Sequence, residues 1–180
     1  MDAENLSIMP VEMRDLPWIS ALLQKMVDMT FSRFASQEQL EAIMSKKCTH
    51  EAISYEMEDG ITYMKLVAGD DIYGLISYKA GGKPEEVYVD KLYALPGEHE
   101  AGYITILVNY ILEQTRQAGY ELLSLFLPPN DQDKLELLTS QGFMLSRLEK
   151  IEVCDDFHVD TYVLRTNLKD PGGFPSDSSN

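Results

Sequence analysis

Between Glu86 and Leu127 the spacing of apolar residues changes twice, and this limits the fold more than any other feature of the chain. Glu86–Ala94 (EVYVDKLYA) mixes β-branched and aromatic residues with polar ones, as a strand does. From Gly102 to Ala118 the apolar residues recur as Tyr103, Ile104, Leu107, Val108, Ile111 and Leu112. That spacing predicts a helix about four turns long, with Gly119 just past its end. Glu121–Leu127 (ELLSLFL) is too apolar for a strand exposed on both faces. Strand, helix and strand in this order predict a parallel βαβ unit inside a sheet.

The flanking segments supply the rest. Residues 6–13 suit an edge strand, where Pro10 is tolerated. Asp15 and Pro17 open a helix whose inward face holds Trp18, Ile19, Leu22, Leu23, Met26 and Val27. Ser36 and Gln39 form a capping box ahead of a second helix over 37–47. Ala52–Glu58 and Thr62–Ala68 flank Asp59-Gly60, a hairpin signal. Ile72–Lys79 follows the turn at Gly69-Asp70-Asp71, and the loop Ala80–Pro84 precedes Glu86. Asn130 or Asp131 caps a later helix ending at Gly142, and 143–153 and 158–166 read as closing strands. The class is α+β: a mixed, largely antiparallel sheet flanked by helices, in the order β-α-α-β-β-β-α-β-α-β-β. Residues 1–168 are expected to form one domain, and the polar, turn-rich 169–180 a flexible tail.

Composition narrows the function. The formal charge is −15, and neither half of the 180 residues is basic. A nucleic-acid binder needs a cationic stripe, and the densest basic pair is Lys46-Lys47. The acidity serves solubility or draws in a cationic substrate such as an amine. No stretch of ~18 apolar residues suggests a membrane span, and MDAENLSIMP lacks the basic start of a secretory signal. Cytoplasmic residence is the expectation. Cys48 and Cys154 make neither a disulfide framework nor a zinc pair. Cys154–His158 (CDDFH) reads as a hairpin turn rather than a metal site, so no metal is expected.

Three phrases carry a family resemblance. IMPVEMRDLPWISALL looks like an opening strand and helix, and TYMKLVAGDDIYGLISYKA like a strand pair. LYALPGEHEAGYITILV, at 92–108, aligns without a gap to a pattern of strand, Pro, acyl-CoA loop and helix. With NDQDKLELLTSQGF at 130–143, they resemble the GNAT superfamily of acyl-CoA-dependent N-acyltransferases over about 6–166. The resemblance implies acetyl-CoA as co-substrate and a small amine or basic peptide as acceptor. It also makes a homodimer plausible.

The resemblance further implies a site. A helix N-terminus suits a pyrophosphate through its unpaired N–H groups and positive dipole end. The loop positions here read His99, Glu100, Ala101, Gly102, Tyr103 and Ile104. Gly102 is kept, His99 replaces Arg or Gln, and Ile104 replaces a small residue where backbone should approach phosphate. Glu98 and Glu100 sit in the same loop. A unit charge ~6 Å from a phosphate costs about 0.7 kcal/mol in water and about 3 at an effective dielectric of 20. If those carboxylates face the ligand, repulsion competes with the dipole; if they point outward, backbone N–H groups still serve.

Leu92, Tyr93 and Ala94 would offer a backbone N–H to the thioester carbonyl. Glu86 and Asp90 share strand parity, roughly 13 Å apart at ~3.3 Å per residue. Asp90, nearer the reaction centre, is the candidate base, directly or through a water. Asn130 would bond the pantetheine arm or simply cap its helix. Phe31 and Phe34 would wall the acceptor pocket, although each also reads as packing. The family's proton donor, a Tyr four residues before Gly-Phe, is Leu138 here. Tyr93, Tyr103 and Tyr162 are the available substitutes.

Overall fold

Seven strands pair into one sheet in the computed structural model, which describes residues 5–81, 85–97, 99–154 and 156–169. The strands are β1 (Ser7–Pro10), β2 (Thr62–Ala68), β3 (Asp71–Ala80), β4 (Glu86–Ala94), β5 (Leu122–Leu127), β6 (Met144–Cys154) and β7 (Phe157–Asn167). The helices are α1 (Leu16–Phe31), α2 (Gln37–Lys47), α3 (His50–Glu58), α4 (Glu100–Gln117) and α5 (Gln132–Ser140). The sheet order is β1-β2-β3-β4-β5-β7-β6, and only β4 and β5 run parallel. α4 makes the crossover between them, as the change of period requires. The tail at 170–180, with Glu98, Asp155 and 82–84 of the loop, lies outside the described residues.

One predicted strand is a helix. Thr49 caps α3 by accepting the Ala52 N–H at 3.1 Å. Asp59-Gly60 ends that helix rather than turning a hairpin: Gly60 takes φ 90°, and Ile61 N–H donates to Glu56 O at 3.0 Å. These are the bonds of a Schellman motif, whose glycine requirement matches that of a tight turn. The β-strand meander has the three strands of the expected order, and three helices rather than two precede it. The capping box of α2 forms as read, with Gln39 N–H on Ser36 Oγ and Ser36 N–H on Gln39 Oε1.

Two apolar clusters hold the helices to opposite faces of the sheet. Ile104, Leu107, Val108 and Ile111 of α4 pack on Leu66, Ile76, Val89, Leu92 and Leu123. Ile19, Leu22 and Leu23 of α1 pack with Ile53 of α3 on Tyr63 and Leu75. Gly74 lets α4 approach, since a Cβ there would lie 3.0 Å from Leu107 Cδ1 and 3.1 Å from Tyr93 O.

A buried polar cluster ties β4, β5 and β7 together at one end. The Glu86 carboxylate accepts from Ser124 Oγ at 2.6 Å and Tyr88 OH at 2.8 Å, and pairs with Arg165 at 3.1 Å. Glu86 is 1% exposed, so these partners are what make its burial tolerable. Burial and the neighbouring carboxylate together push the Tyr88 hydroxyl up from its ordinary value. At the other end the strands part: β4 pairs with β5 only over Glu86–Val89 and Leu122–Leu125.

Candidate active site

The parting of β4 from β5 opens a cleft of about 600 Å³. One wall is the end of β4 and the start of α4: Asp90, Leu92, Tyr93, Gly97, Glu100, Ala101 and Ile104. The opposite wall is the end of β5 and the start of α5, including Leu127, Pro128, Asn130, Asp131 and Lys134. The C-terminal turns of α1, through Met26, Thr30 and Phe31, close the third side.

The chain's geometry aims backbone donors into this cleft. Leu95 N–H bonds Tyr73 O on β3 at 2.9 Å. Donor direction alternates along a strand, so the N–H groups of Leu92 and Ala94 point away from β3, toward the side β5 has left. Helix α4 starts at Glu100, two residues earlier than its apolar period shows. Gly102 therefore lies inside its first turn, exposed, with open space where a Cβ would stand. The small residues Gly97 and Ala101 let a ligand come close to that helix end.

Asp90 sits where the strands separate. The β3–β4 register shifts there, with Ser77 opposite Lys91 and Tyr78 opposite Val89, which leaves Asp90 as an extra residue. The bulge shifts the phase of the strand after Asp90, so that Val87 and Val89 before it and Leu92 and Ala94 after it join the same core cluster. Glu86 is locked inside the sheet and does not line the cleft, whereas the Asp90 side chain is half exposed and does. Behind it, Lys91 bridges the carboxylates of Asp90 and Glu56, and Tyr63 OH also donates to Glu56. Burial alone would lower the Lys91 ammonium, but Asp90, Tyr63 and Glu56 outweigh it and raise it well above the usual lysine range. Lys91 thus stays charged and fixes the Asp90 carboxylate in place.

Phe31 lines the cleft and meets Phe34 edge-on at 5.7 Å and Phe157 at 6.3 Å between ring centres, but Phe34 is outside the lining. Asn130 lines the cleft but does not cap α5. Asp131 is the cap, accepting the Lys134 N–H at 3.1 Å, while Asn130 Nδ2 donates across the cleft to Thr30 O at 3.1 Å. Ile104 is 1% exposed; its side chain belongs to the core at the cleft floor and does not stand over the helix end. The His99 ring lies outside the lining with its centre 6.2 Å from that of Tyr103. Ala94, Gly102 and Tyr103 are outside it too. Glu100 is in it.

Among the tyrosines considered as proton donors, Tyr93 alone borders the cleft; Tyr103 packs on Tyr73 and Tyr162 against the core. Burial first, then nearby carboxylates, push its hydroxyl up to about 12. Leu138 is 0% exposed in the core, so it does not reach the cleft. Lys134 was not singled out from sequence. It is the one cation among the described lining residues, against the carboxylates of Asp90, Glu100, Asp131 and Asp133.

A parallel strand pair that opens at its carboxyl ends beside a helix N-terminus is the arrangement the 92–108 phrase implied. The sequence model of the Acetyltransferase (GNAT) family matches residues 20–143. The chain belongs to the GNAT acetyltransferase family.

Solved GNAT-fold structures overlay nearly the whole chain. One is the PaiA N-acetyltransferase from Thermoplasma acidophilum in complex with coenzyme A, 15% identical, covering 91% of this chain and 99% of that one, TM-score 0.71. Another is the spermidine N-acetyltransferase from Vibrio cholerae in complex with CoA and spermine, 14% identical, covering 92% and 97%, TM-score 0.67. A third is the ribosomal-protein-alanine N-acetyltransferase from Brucella melitensis, 18% identical, covering 89% and 99%, TM-score 0.66. At these identities the likeness shows the fold. No curated protein sequence matches the chain. Among the described residues, no helix is long and apolar enough to cross a membrane.

Proposed function

We propose that this GNAT-family protein is an N-acyltransferase that moves the acetyl group of acetyl-CoA onto an amine by direct attack in a ternary complex. The observation that carries the reading is the cleft where β4 leaves β5, with Leu92, whose N–H points away from β3, on one side and the start of α4 beside it. The pyrophosphate would lie at that helix end, over Gly97, Ala101 and Gly102. The pantetheine arm would run between the two strand ends, and the thioester carbonyl would accept a bond from the β4 backbone. Asp90 would take the amine's proton, directly or through a water, from a carboxylate that Lys91 keeps oriented.

The acceptor in this reading is a small cationic amine or a basic peptide. Four carboxylates line the cleft against one lysine, and the exposed acids of the rim would attract such a molecule. Proteins of this fold named for spermidine and for ribosomal-protein alanine are consistent with that class. The same carboxylates favour a second reading, a ligand-binding member of the fold without turnover, because they repel the CoA phosphates.

Thiol release from acetyl-CoA separates the two. With spermidine, an aminoglycoside and a basic peptide as probes, turnover with at least one is the expected result. Bound CoA without thiol release on any probe would favour the second reading.

A further inference from the structure

We infer that Lys134 is the group that neutralises the thiolate leaving from CoA. This rests on the acyl-transfer reading above and fills the role for which the sequence offers Leu138. Leu138 is fully buried and takes no part in the cleft. Lys134 lies one helical turn earlier on the same stripe of α5, and its side chain does reach the cleft.

The geometry is specific. The Lys134 side chain is 11% exposed, and its Nζ stands 5.8 Å from the centre of the Tyr93 ring. Tyr93 lies between Leu92 and Ala94, whose N–H groups face the opening. In the proposed complex the thioester carbonyl accepts from this stretch of β4, and Lys134 is the cation beside it. The ammonium is held there by Asp131 Oδ2 at 2.9 Å and by the ring face. Tyr93 itself is a poor source of a proton, because burial holds its hydroxyl near 12. The other charged groups lining the cleft, Asp90, Glu100, Asp131 and Asp133, are all carboxylates and would oppose charge on sulfur.

The step balances as follows. The neutral amine nitrogen bonds to the acetyl carbon, and the C–S bond breaks with its electron pair staying on sulfur. The amine's proton passes to Asp90 or its water and on to solvent. The thiolate is held by the Lys134 ammonium until it leaves and takes a proton from solvent. Lys134 acts in this step as a fixed positive charge and gives up no proton.

The test needs no acceptor. The thiol of bound CoA is titrated by thiolate ultraviolet absorbance, with the ligand-free protein as baseline. In the wild-type protein the bound thiol should ionise about one unit below the value that free CoA shows in the same buffer. Lys134→Gln should return it to the free value or above, since only carboxylates then remain, with CoA affinity changed less than about three-fold, and Lys134→Arg should keep the lowering. In turnover, Lys134→Gln should lower kcat about 10- to 100-fold at little change in KM for acetyl-CoA. A wild-type bound thiol that titrates as free CoA does, or a lowering that survives Lys134→Gln, would overturn the inference while leaving acyl transfer standing. Wild-type protein that binds no CoA would overturn both.

Discussion

Lys65→Met should destabilise the fold by about 3–5 kcal/mol, the largest stability loss we expect from a single change in this chain. Lys65 Nζ lies 2.6 Å from Asp15 Oδ2, with the side chains only 7% and 10% exposed. Asp15 also accepts the Glu12 N–H at 2.7 Å, so one carboxylate joins the turn before α1 to the middle of β2. Removing Lys65 leaves that carboxylate desolvated and unpaired. The double variant Asp15→Asn/Lys65→Met should recover part of the loss, because neither charge is then stranded. Urea denaturation at unchanged m value reads the effect, and a loss below ~0.5 kcal/mol for Lys65→Met would show the pair to be inert.

The same pair sets an acid limit on stability. Burial works to raise the Asp15 carboxyl, but its bonds to Lys65 and to the Glu12 N–H overcome this and hold it below 3.8. A group depressed in the folded state contributes its stability above the unfolded value. It loses that contribution as pH falls from there through the folded value. The pair's support should therefore be constant from neutral pH down to about 5 and fade below about 4. Asp15→Asn should flatten that part of the acid unfolding curve.

Asp90→Asn should lower kcat by about 10²–10⁴ with little change in KM for acetyl-CoA. The amide keeps the shape of the bulge and a bond to Lys91, but it cannot take a proton from the attacking amine. Binding and catalysis are thus separated in a single substitution. Calorimetry on the variant should give the wild-type affinity for acetyl-CoA. An unchanged kcat would remove Asp90 from the chemistry, and a rise in KM alone would make it a binding residue.

What the sequence revealed follows from how local each signal is. The α4 stripe and the strands before and after it are local patterns, and they specify the parallel pair that later opens. Glu86–Ala94 and Thr62–Ala68 form strands with the bounds the alternation gives. The strand expected over Ala52–Glu58 is a helix because Asp-Gly serves helix ends and hairpins alike; the signal that separates them is Thr49, three residues before Ala52. The bulge at Asp90 depends on the register with β3 and has no mark of its own in the sequence. Lys65 looks anomalous in an apolar strand, but its partner is 50 residues away. Asn130 illustrates the same limit, since its carboxamide bonds Thr30 O, 100 residues earlier. Lys134 could have been found: it stands four residues before Leu138, and a helix puts those two positions on one face.

The central claim is that the opening between β4 and β5 holds an acyl-CoA despite the acids around it. Isothermal calorimetry of acetyl-CoA on the full chain, at low and moderate salt, tests it most directly. The account predicts a micromolar constant that does not weaken as salt rises, because salt screens the phosphates from Glu100, Asp131 and Asp133. No heat of binding at millimolar acetyl-CoA would contradict it.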